Sequence, residues 1–187
     1  MFEVLSIPGV RVYTPKRFGD PRGYFMEPWS ERVFSAEGLP IFVQDNEGLS
    51  APAGTVRGLH YQTDPFAQAK LIRCLSGAIL DVVVDIRRGS PAYGRHVGVE
   101  LRPDTGLLYM PAGIAHGYCT LAPDTLVQYK VSAPYSPAHE GGIAWDDPTL
   151  AIKWPVAPGA AIVSDRDRKQ PRFADFVSPF VYDPSRS

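Results

Sequence analysis

The sequence has little cysteine, no excess of basic residues and no long apolar run. Its 187 residues include 2 Cys, and the formal net charge is -1. Without a basic excess, nucleic-acid binding is not expected. No apolar run approaches the roughly 20 residues that span a bilayer, so no membrane contact is expected either. Residues 1–8 lack the charged-then-apolar pattern of a secretory signal, and a cytoplasmic protein is predicted.

The cysteines and histidines also restrict the chemistry. Cys74 and Cys119 each lie in an apolar, strand-like stretch, which favours buried free thiols over a disulfide framework. The four histidines do not show the close spacing of a typical metal cluster; they are His60, His96, His116 and His139. No metal ion is therefore expected.

Glycine and proline divide the chain into short segments. The 17 Gly and 19 Pro make up nearly a fifth of the residues, and they separate runs rich in β-branched and aromatic side chains. Only Ser30 to Glu37 has a helical pattern, with Ser30 as the N-cap and Gly38 as the stop. Strands are predicted at 10–14, 24–27, 41–46, 55–62, 70–75, 79–86, 97–101, 107–110, 116–121 and 126–131.

So many strands without interleaved helices predict an all-β fold. The pattern indicates one domain over residues 1–187, either a closed antiparallel barrel or a double-sheet jelly roll, with short peripheral helices. No internal repeat or domain boundary is visible. The segment after Pro155 is rich in Pro and Gly and is predicted to pack over the barrel as a tail.

The stretch Thr55–Gln62 carries the most chemical information. Arg57 and His60 are three residues apart, so a regular strand would point them to opposite faces. Gly58 lies between them, and glycine inside a strand often marks a bulge or a close backbone approach. A bulge would bring both side chains into one cavity. The alternative is a solvated arginine and a satisfied core histidine.

Three further side chains admit a catalytic or a structural interpretation. Lys70 shares a face with apolar Ile72 and Cys74, so its ammonium either lies at a sheet edge or points into the lumen, where it would stabilise an oxyanion. Tyr129 falls on a buried face, as a core aromatic or a proton donor. Asp167 lies in a charged segment, as a solvated loop residue or as the carboxylate that orients a histidine.

Segments along nearly the whole chain resemble the dTDP-4-dehydrorhamnose 3,5-epimerase family of nucleotide-sugar epimerases. They occur in the order found in the family, and jointly they are highly specific. The segments are 20–27, 44–46, 57–62, 68–71, 81–85, 111–117, 128–130, 145–148, 152–155 and 164–167. The resemblance implies a cupin-like antiparallel jelly-roll barrel, isomerase activity, and no metal or organic cofactor.

The resemblance also implies a role for each candidate residue. His60 is the base that removes a proton beside the sugar ketone, with Asp167 as its partner. Tyr129 returns a proton from the opposite face, and Lys70 stabilises the enolate. The remaining candidates bind the nucleotide sugar: Arg57 and His116 at the diphosphate or sugar, Arg22, Glu27, Gln44 and Asn46 at the nucleotide, Tyr135 stacked on the base, and Glu140 and Arg166 beside them.

The family implies a homodimer that exchanges N-terminal strands, so that Arg22 and Glu27 serve the pocket of the partner. Two positions depart from the family pattern: Gly48 stands where many members have serine, and Tyr118 where phenylalanine is usual after His-Gly.

The predicted function is epimerisation of dTDP-4-dehydro-6-deoxy-D-glucose at C3 and C5, which yields dTDP-4-dehydro-L-rhamnose. Three alternatives stay open. They are a single-carbon epimerase of a related 4-keto-6-deoxysugar, a non-catalytic jelly roll that binds a sugar nucleotide, and a metal-dependent cupin.

Overall fold

The computed structural model describes residues 1–157 and 159–186. Its regular structure is almost entirely β. The strands are β1 (Phe2–Val4), β2 (Arg11–Tyr13), β3 (Arg17–Asp20), β4 (Gly23–Met26), β5 (Gln44–Ser50), β6 (Thr55–Gln62), β7 (Lys70–Ser76), β8 (Ile79–Asp85), β9 (His96–Leu101), β10 (Leu107–Met110), β11 (Ile114–Thr120), β12 (Thr125–Val131), β13 (Glu140–Gly142) and β14 (Ile162–Val163). Helix α1 (Glu31–Ala36) and the 3-10 turns Pro137–His139, Asp167–Lys169, Phe173–Asp175 and Pro184–Arg186 lie around them.

Two six-stranded sheets form the body of the molecule. The first has the order β1-β2-β10-β7-β12-β5, and the second has the order β13-β6-β11-β8-β9 with β14 added beside β6. Every pairing is antiparallel except that of β14 with β6. A separate two-stranded hairpin joins β3 and β4. The predicted all-β jelly roll with short peripheral helices is confirmed.

The apolar core fills one part of the space between the sheets. Ile72, Val83, Leu108 and Val127 meet there and are fully or almost fully buried. Burying an aliphatic side chain of this kind stabilises a fold by about 1.5–3 kcal/mol. The core extends along strand faces that also carry polar side chains; on β7, Lys70 lies two residues before Ile72 on the same face. The lumen therefore has an apolar part and a polar part.

Most predicted strands are confirmed within one or two residues, and the prediction for β5 is wrong. Pairing with β12 begins at Gln44 and continues through Ser50, whereas the sequence predicted a strand at 41–46. Ile41 and Val43 are 56% and 61% exposed. Their apolar side chains suggested a strand that faces the core, but they do not face it. Ser30 occupies the N-cap position of α1, but its side chain makes no capping hydrogen bond.

The segment after Pro155 contacts the barrel at several points. Ile162 pairs with Thr55 in the parallel contact of β14 with β6, and Val163 packs against Val56 and Cys119. Farther on, Phe180 joins the apolar cluster of Leu59 and neighbouring side chains. These contacts bring residues 164–167 to the edge of β6.

Strand β6 is bulged at Gly58. His60 is opposite His116, while Arg57 is opposite Tyr118, so β6 contains one more residue than β11 over this interval. Gly58 has a φ of 136°, a conformation that is essentially restricted to glycine. A Cβ there would lie 2.5 Å from Gly117 Cα. The bulge turns Arg57 and His60 toward the same cavity, as the position of Gly58 in the sequence predicts.

Substitution of Gly58 by alanine tests the close contact of β6 with β11. Gly23 is a matched control because its φ is 133° and a Cβ there would meet no atom within 4 Å. Both variants carry the backbone strain, but only Gly58→Ala adds the clash. We expect Gly58→Ala to lower the free energy of unfolding by about 1–3 kcal/mol more than Gly23→Ala, measured by denaturant unfolding. Equal losses would contradict the clash.

Candidate functional site

The polar part of the lumen is a cavity of about 690 Å³. Strands β6 and β11 of one sheet and β5, β7 and β12 of the other form its walls, and residues 162–164, 166 and 167 complete the lining. Its lining includes most of the residues that the sequence singled out: Gln44, Asn46, Arg57, His60, Lys70, His116, Tyr129, Tyr135, Glu140, Arg166 and Asp167.

His60 and Asp167 form a hydrogen-bonded pair on the β6 wall. The distance from His60 Nε2 to Asp167 Oδ1 is 2.6 Å. The amide of Gly58 donates to the other carboxylate oxygen at 3.3 Å, so the bulged glycine also orients the aspartate. Burial acts to raise the pKa of Asp167, but the hydrogen bond and charge of His60, with contributions from Gly58 and Ser164, hold it below its ordinary value. Asp167 is therefore a carboxylate that fixes the imidazole.

Tyr129 and Lys70 lie on the opposite wall. Both belong to the first sheet, on β12 and β7, whereas His60 belongs to the second. Burial raises the pKa of Tyr129, and the negative charge of Glu140 adds to the effect while Arg57 opposes it. The phenol thus stays protonated at neutral pH. Lys70 is 8% exposed and points into the lumen, which decides between the two positions that the sequence left open.

Lys70 has an unusual ionisation for a lysine. Burial lowers its pKa to about 8, and the charges of Glu140 and Asp81 act in the opposite direction. The Lys70 side chain is mostly charged below about pH 8 and loses its positive charge as the pH rises above that value. At neutral pH the wall therefore presents one positive charge in a poorly solvated position, where it interacts strongly with any anion.

Asp81 is a site residue that the sequence analysis missed. It lies on β8, is fully buried, and accepts a hydrogen bond from His116 Nε2 at 2.8 Å. Among the described residues its second oxygen has no hydrogen-bond partner, and burial raises the pKa of Asp81 against the influence of His116 and Lys70. A charged residue within the apolar run Ile79–Asp85 was the available signal. The hydrogen bond with Asp81 orients the imidazole of His116, so the cavity has a second oriented imidazole. On the adjacent strand of the same sheet, His116 is the register partner of His60.

Arg57 is anchored to the end of β5. Its Nε donates to Ser50 Oγ at 3.1 Å, and one terminal nitrogen donates to the carbonyl of Leu49 at the same distance. The side chain remains exposed at the cavity. Among the described residues these contacts occupy two of its donors, and the rest of the guanidinium is available to an anion.

A hydrogen-bonded cluster lies at the mouth of the cavity. Tyr135 Oη donates to Glu140 Oε2 at 2.6 Å, and Arg166 approaches the same oxygen at 2.7 Å. The backbone amide of Tyr135 donates to Gln44 Oε1 at 3.0 Å, while Gln44 Nε2 donates to Asn46 at 2.7 Å. Five of the seven residues predicted at the nucleotide thus form one continuous polar surface, which includes the exposed ring of Tyr135.

Arg22 and Glu27 lie outside the cavity. They belong to the region of the β3–β4 hairpin, where both are exposed and Arg22 pairs with Asp20 at 2.6 Å. The hairpin also exposes Phe18, Tyr24 and Phe25 at 52%, 55% and 66%. Within one chain, these two predicted residues and the other eleven are not brought together.

Three further observations concern the described residues. They contain no helix that is long and apolar enough to cross a membrane. In the same part of the chain, no three or more His, Cys, Asp and Glu side chains are grouped so as to hold a metal ion. Cys74 and Cys119 are both buried and free, which confirms the prediction of unpaired thiols.

A cupin-like jelly roll whose lumen holds a carboxylate-bound histidine, a protonated phenol and a buried ammonium has the acid–base groups of an isomerase that acts by proton transfer. Comparison with known proteins identifies the family. The family model for dTDP-4-dehydrorhamnose 3,5-epimerase matches residues 4–175. The chain belongs to this family.

Individual relatives are similar over almost their whole length. The chain is 49% identical to the dTDP-4-dehydrorhamnose 3,5-epimerase of Sinorhizobium fredii over 97% of this chain and 93% of that one. The crystal structure of the Bacillus anthracis enzyme with TDP and PPi bound has a TM-score of 0.89 at 44% identity, covering 92% and 99% of the two chains. The Legionella pneumophila enzyme in complex with dTDP-4-keto-L-rhamnose has a TM-score of 0.91 at 34% identity, covering 98% of each.

The titration of Lys70 tests the electrostatics of the cavity. We expect NMR of a chain labelled with ¹³C at lysine Cε to show one lysine with a pKa of about 8. Glu140→Gln should lower this pKa further, because the carboxylate stabilises the ammonium. Glu37→Gln, which removes an exposed carboxylate outside the cavity, is the control and should leave it unchanged. A Lys70 that titrates like an exposed lysine would contradict the buried position.

Proposed function

We propose that the chain converts dTDP-4-dehydro-6-deoxy-D-glucose to dTDP-4-dehydro-L-rhamnose by inverting C3 and C5. The observation that carries the proposal is the disposition of its acid–base groups: His60 with Asp167 on one wall of the cavity, and Tyr129 with Lys70 on the other. Inversion at a carbon requires that a proton leave from one face of the sugar and return to the other. Groups on opposite walls meet that requirement.

The first step is removal of a proton from a carbon beside the 4-ketone. Asp167 accepts a hydrogen bond from His60 Nε2, which leaves the lone pair of the imidazole on Nδ1, the atom that takes the proton. The carboxylate then stabilises the imidazolium that forms. A positioned base of this kind contributes about 10²–10⁴-fold to the rate.

The electron pair of the broken C–H bond moves onto the ketone oxygen. Lys70 carries the positive charge that stabilises this enolate, and its poorly solvated position strengthens the interaction. His116, held by buried Asp81, supplies a second donor to the sugar or the diphosphate.

The second step returns a proton to the opposite face. Tyr129 lies across the lumen from His60 and is protonated at neutral pH because burial raises its pKa. Transfer from the phenol to the carbon closes the reaction, and solvent restores the proton of Tyr129 and removes that of His60. Protein side chains handle every proton and charge in this scheme, so the proposal involves no metal ion or organic cofactor.

The diphosphate is the anionic group through which the protein binds the nucleotide sugar. Arg57 carries free guanidinium donors beside the cavity, and a planar fork suits a diphosphate. The polar surface of Gln44, Asn46, Glu140 and Arg166 holds the nucleotide, with Tyr135 stacked on the base. The relatives bound to TDP with PPi and to dTDP-4-keto-L-rhamnose support this class of ligand.

The proposal extends to assembly and location. Arg22 and Glu27 reach a cavity only if the β3–β4 hairpin contacts a second copy, and the exposed Phe18, Tyr24 and Phe25 supply an apolar surface for it. We therefore propose a homodimer in which N-terminal strands exchange and the two residues complete the site of the partner. Residues 1–187 act as one domain, because the tail after Pro155 supplies Asp167 and Arg166. The free cysteines support a cytoplasmic location.

Solvent exchange in D2O tests the reaction. With dTDP-4-dehydro-6-deoxy-D-glucose as substrate, NMR should show deuterium at C3 and at C5. We expect His60→Ala to reduce exchange by about 10²–10⁴-fold because the base is lost. His96→Ala removes a histidine that does not line the cavity and should have no effect.

The same experiment separates the alternatives. Deuterium at one carbon alone would identify a single-carbon epimerase. Absence of exchange together with tight binding of dTDP would identify a non-catalytic binding protein. Loss of activity on exhaustive chelation, restored by a metal ion, would identify a metal-dependent cupin.

Mixing two inactive variants tests the exchange between subunits. In a heterodimer of His60→Ala and Arg22→Ala, one site carries both changes and the other carries neither if Arg22 acts in the partner. Random reassociation should then restore about a quarter of the wild-type rate at low substrate. His60→Ala mixed with Asp167→Asn is the control, since both residues belong to the same chain's site, and no recovery is expected there. No recovery in either mixture, or a monomeric mass of 20.5 kDa by light scattering, would refute the exchange.

A further inference from the structure

Strand β5 presents a row of inward polar side chains with one gap. Gln44, Asn46 and Ser50 are less exposed than the residues between them, and Gly48 occupies the remaining inward position. Glycine has no side chain to contribute to this row. The wall of the cavity therefore contains a space at Gly48, between Asn46 and Ser50.

Tyr118 fills that space from the opposite sheet. It lies on β11 of the second sheet, whereas Gly48 lies on β5 of the first. Its hydroxyl oxygen is 3.6 Å from the position that a Cβ of Gly48 would occupy. The side chain is 5% exposed and lines the cavity. The phenol thus crosses the lumen and ends in the polar row of β5.

Ser50 connects the Tyr118 hydroxyl to Arg57. Burial raises the pKa of Tyr118, and the nearby charge of Arg57 and a side-chain hydrogen bond with Ser50 oppose that effect. Ser50 Oγ also accepts from Arg57 Nε at 3.1 Å. A serine hydroxyl offers one donor and two acceptor positions, so it can serve both partners at once. Arg57 itself is exposed, and within the described residues its guanidinium is held by this contact and by the carbonyl of Leu49.

We propose that Tyr118 is a positioning residue that acts through Ser50 to fix the guanidinium of Arg57 for the diphosphate of the substrate. The inference rests on the proposed function, since that function supplies the diphosphate. A long, exposed arginine loses side-chain freedom when it binds an anion, and prior fixation removes part of that cost. We expect the contacts to the diphosphate to be the same in the ground state and the transition state, because the proton transfers do not change its charge. Tyr118 therefore affects KM rather than kcat.

Tyr118→Phe tests this role because it removes one oxygen and keeps the ring. We expect KM for the nucleotide sugar and Kd for dTDP, measured by calorimetry, to rise about three- to tenfold with kcat retained. Ser50→Ala should have the same effect by an independent change. Tyr109→Phe is the matched control: Tyr109 is also 5% exposed but does not line the cavity, and its hydroxyl should not affect KM.

A double-mutant cycle separates positioning from a general packing effect. If Tyr118 acts through Arg57, Tyr118→Phe should add nothing to KM in an Arg57→Ala background. The inference would be overturned if Tyr118→Phe raised KM in the Arg57→Ala background by as large a factor as in the wild type. It would also be overturned if Tyr118→Phe alone lowered kcat by the factor by which it raises KM. Unchanged KM and Kd in Tyr118→Phe would overturn it too.

Failure of the inferred role of Tyr118 is distinguishable from failure of the proposed function. A wild-type chain that exchanges hydrogen with solvent and binds dTDP, beside a Tyr118→Phe variant with the same KM and Kd, refutes the role of Tyr118 alone. A wild-type chain without solvent exchange refutes the proposed function, and the dTDP affinities of the two chains still report whether Tyr118 fixes Arg57.

Discussion

The site depends on one backbone contact, the approach of Gly58 on β6 to Gly117 on β11. No side chain fits between the strands at this point, and the extra residue of β6 is accommodated only because Gly58 adopts a φ open to glycine. Three consequences follow from it. Arg57 and His60 share a cavity, the amide of Gly58 points at Asp167, and the tail that carries Asp167 finds its partner on β6.

The second constraint is the cost of burying charge in the lumen. Lys70, Asp81 and His116 are all nearly or fully inaccessible, and a poorly solvated ionised group is destabilising unless other groups compensate it. They compensate one another: Asp81 binds His116 and its charge supports that of Lys70. The arrangement is costly for folding, and in the proposed reaction the same low solvation strengthens the interaction of Lys70 with an enolate.

Local patterns predicted much of the architecture, and their failures have physical causes. Alternation and turn residues located most strands because side chains of a strand alternate between core and solvent. The prediction failed at β5, where the inward side chains are polar because they line a cavity rather than a core. Asp81 was overlooked because its importance arises from His116, 35 residues away along the chain. The departures at Gly48 and Tyr118 were visible in sequence, but nothing local indicated that they are in contact across the lumen.

The sequence by itself determined the all-β class, the free cysteines, the family and the candidate reactive side chains, because these follow from residue types, short-range periodicity and motif order. Only the tertiary structure decided which of those side chains meet. The stacking of two sheets decides whether Lys70 lies at an edge or in the lumen. It also decides whether Asp167 is a loop charge or the partner of His60, and which wall carries Tyr129. Such contacts join residues as far apart as His60 and Asp167, 107 positions along the chain, and no local pattern encodes them.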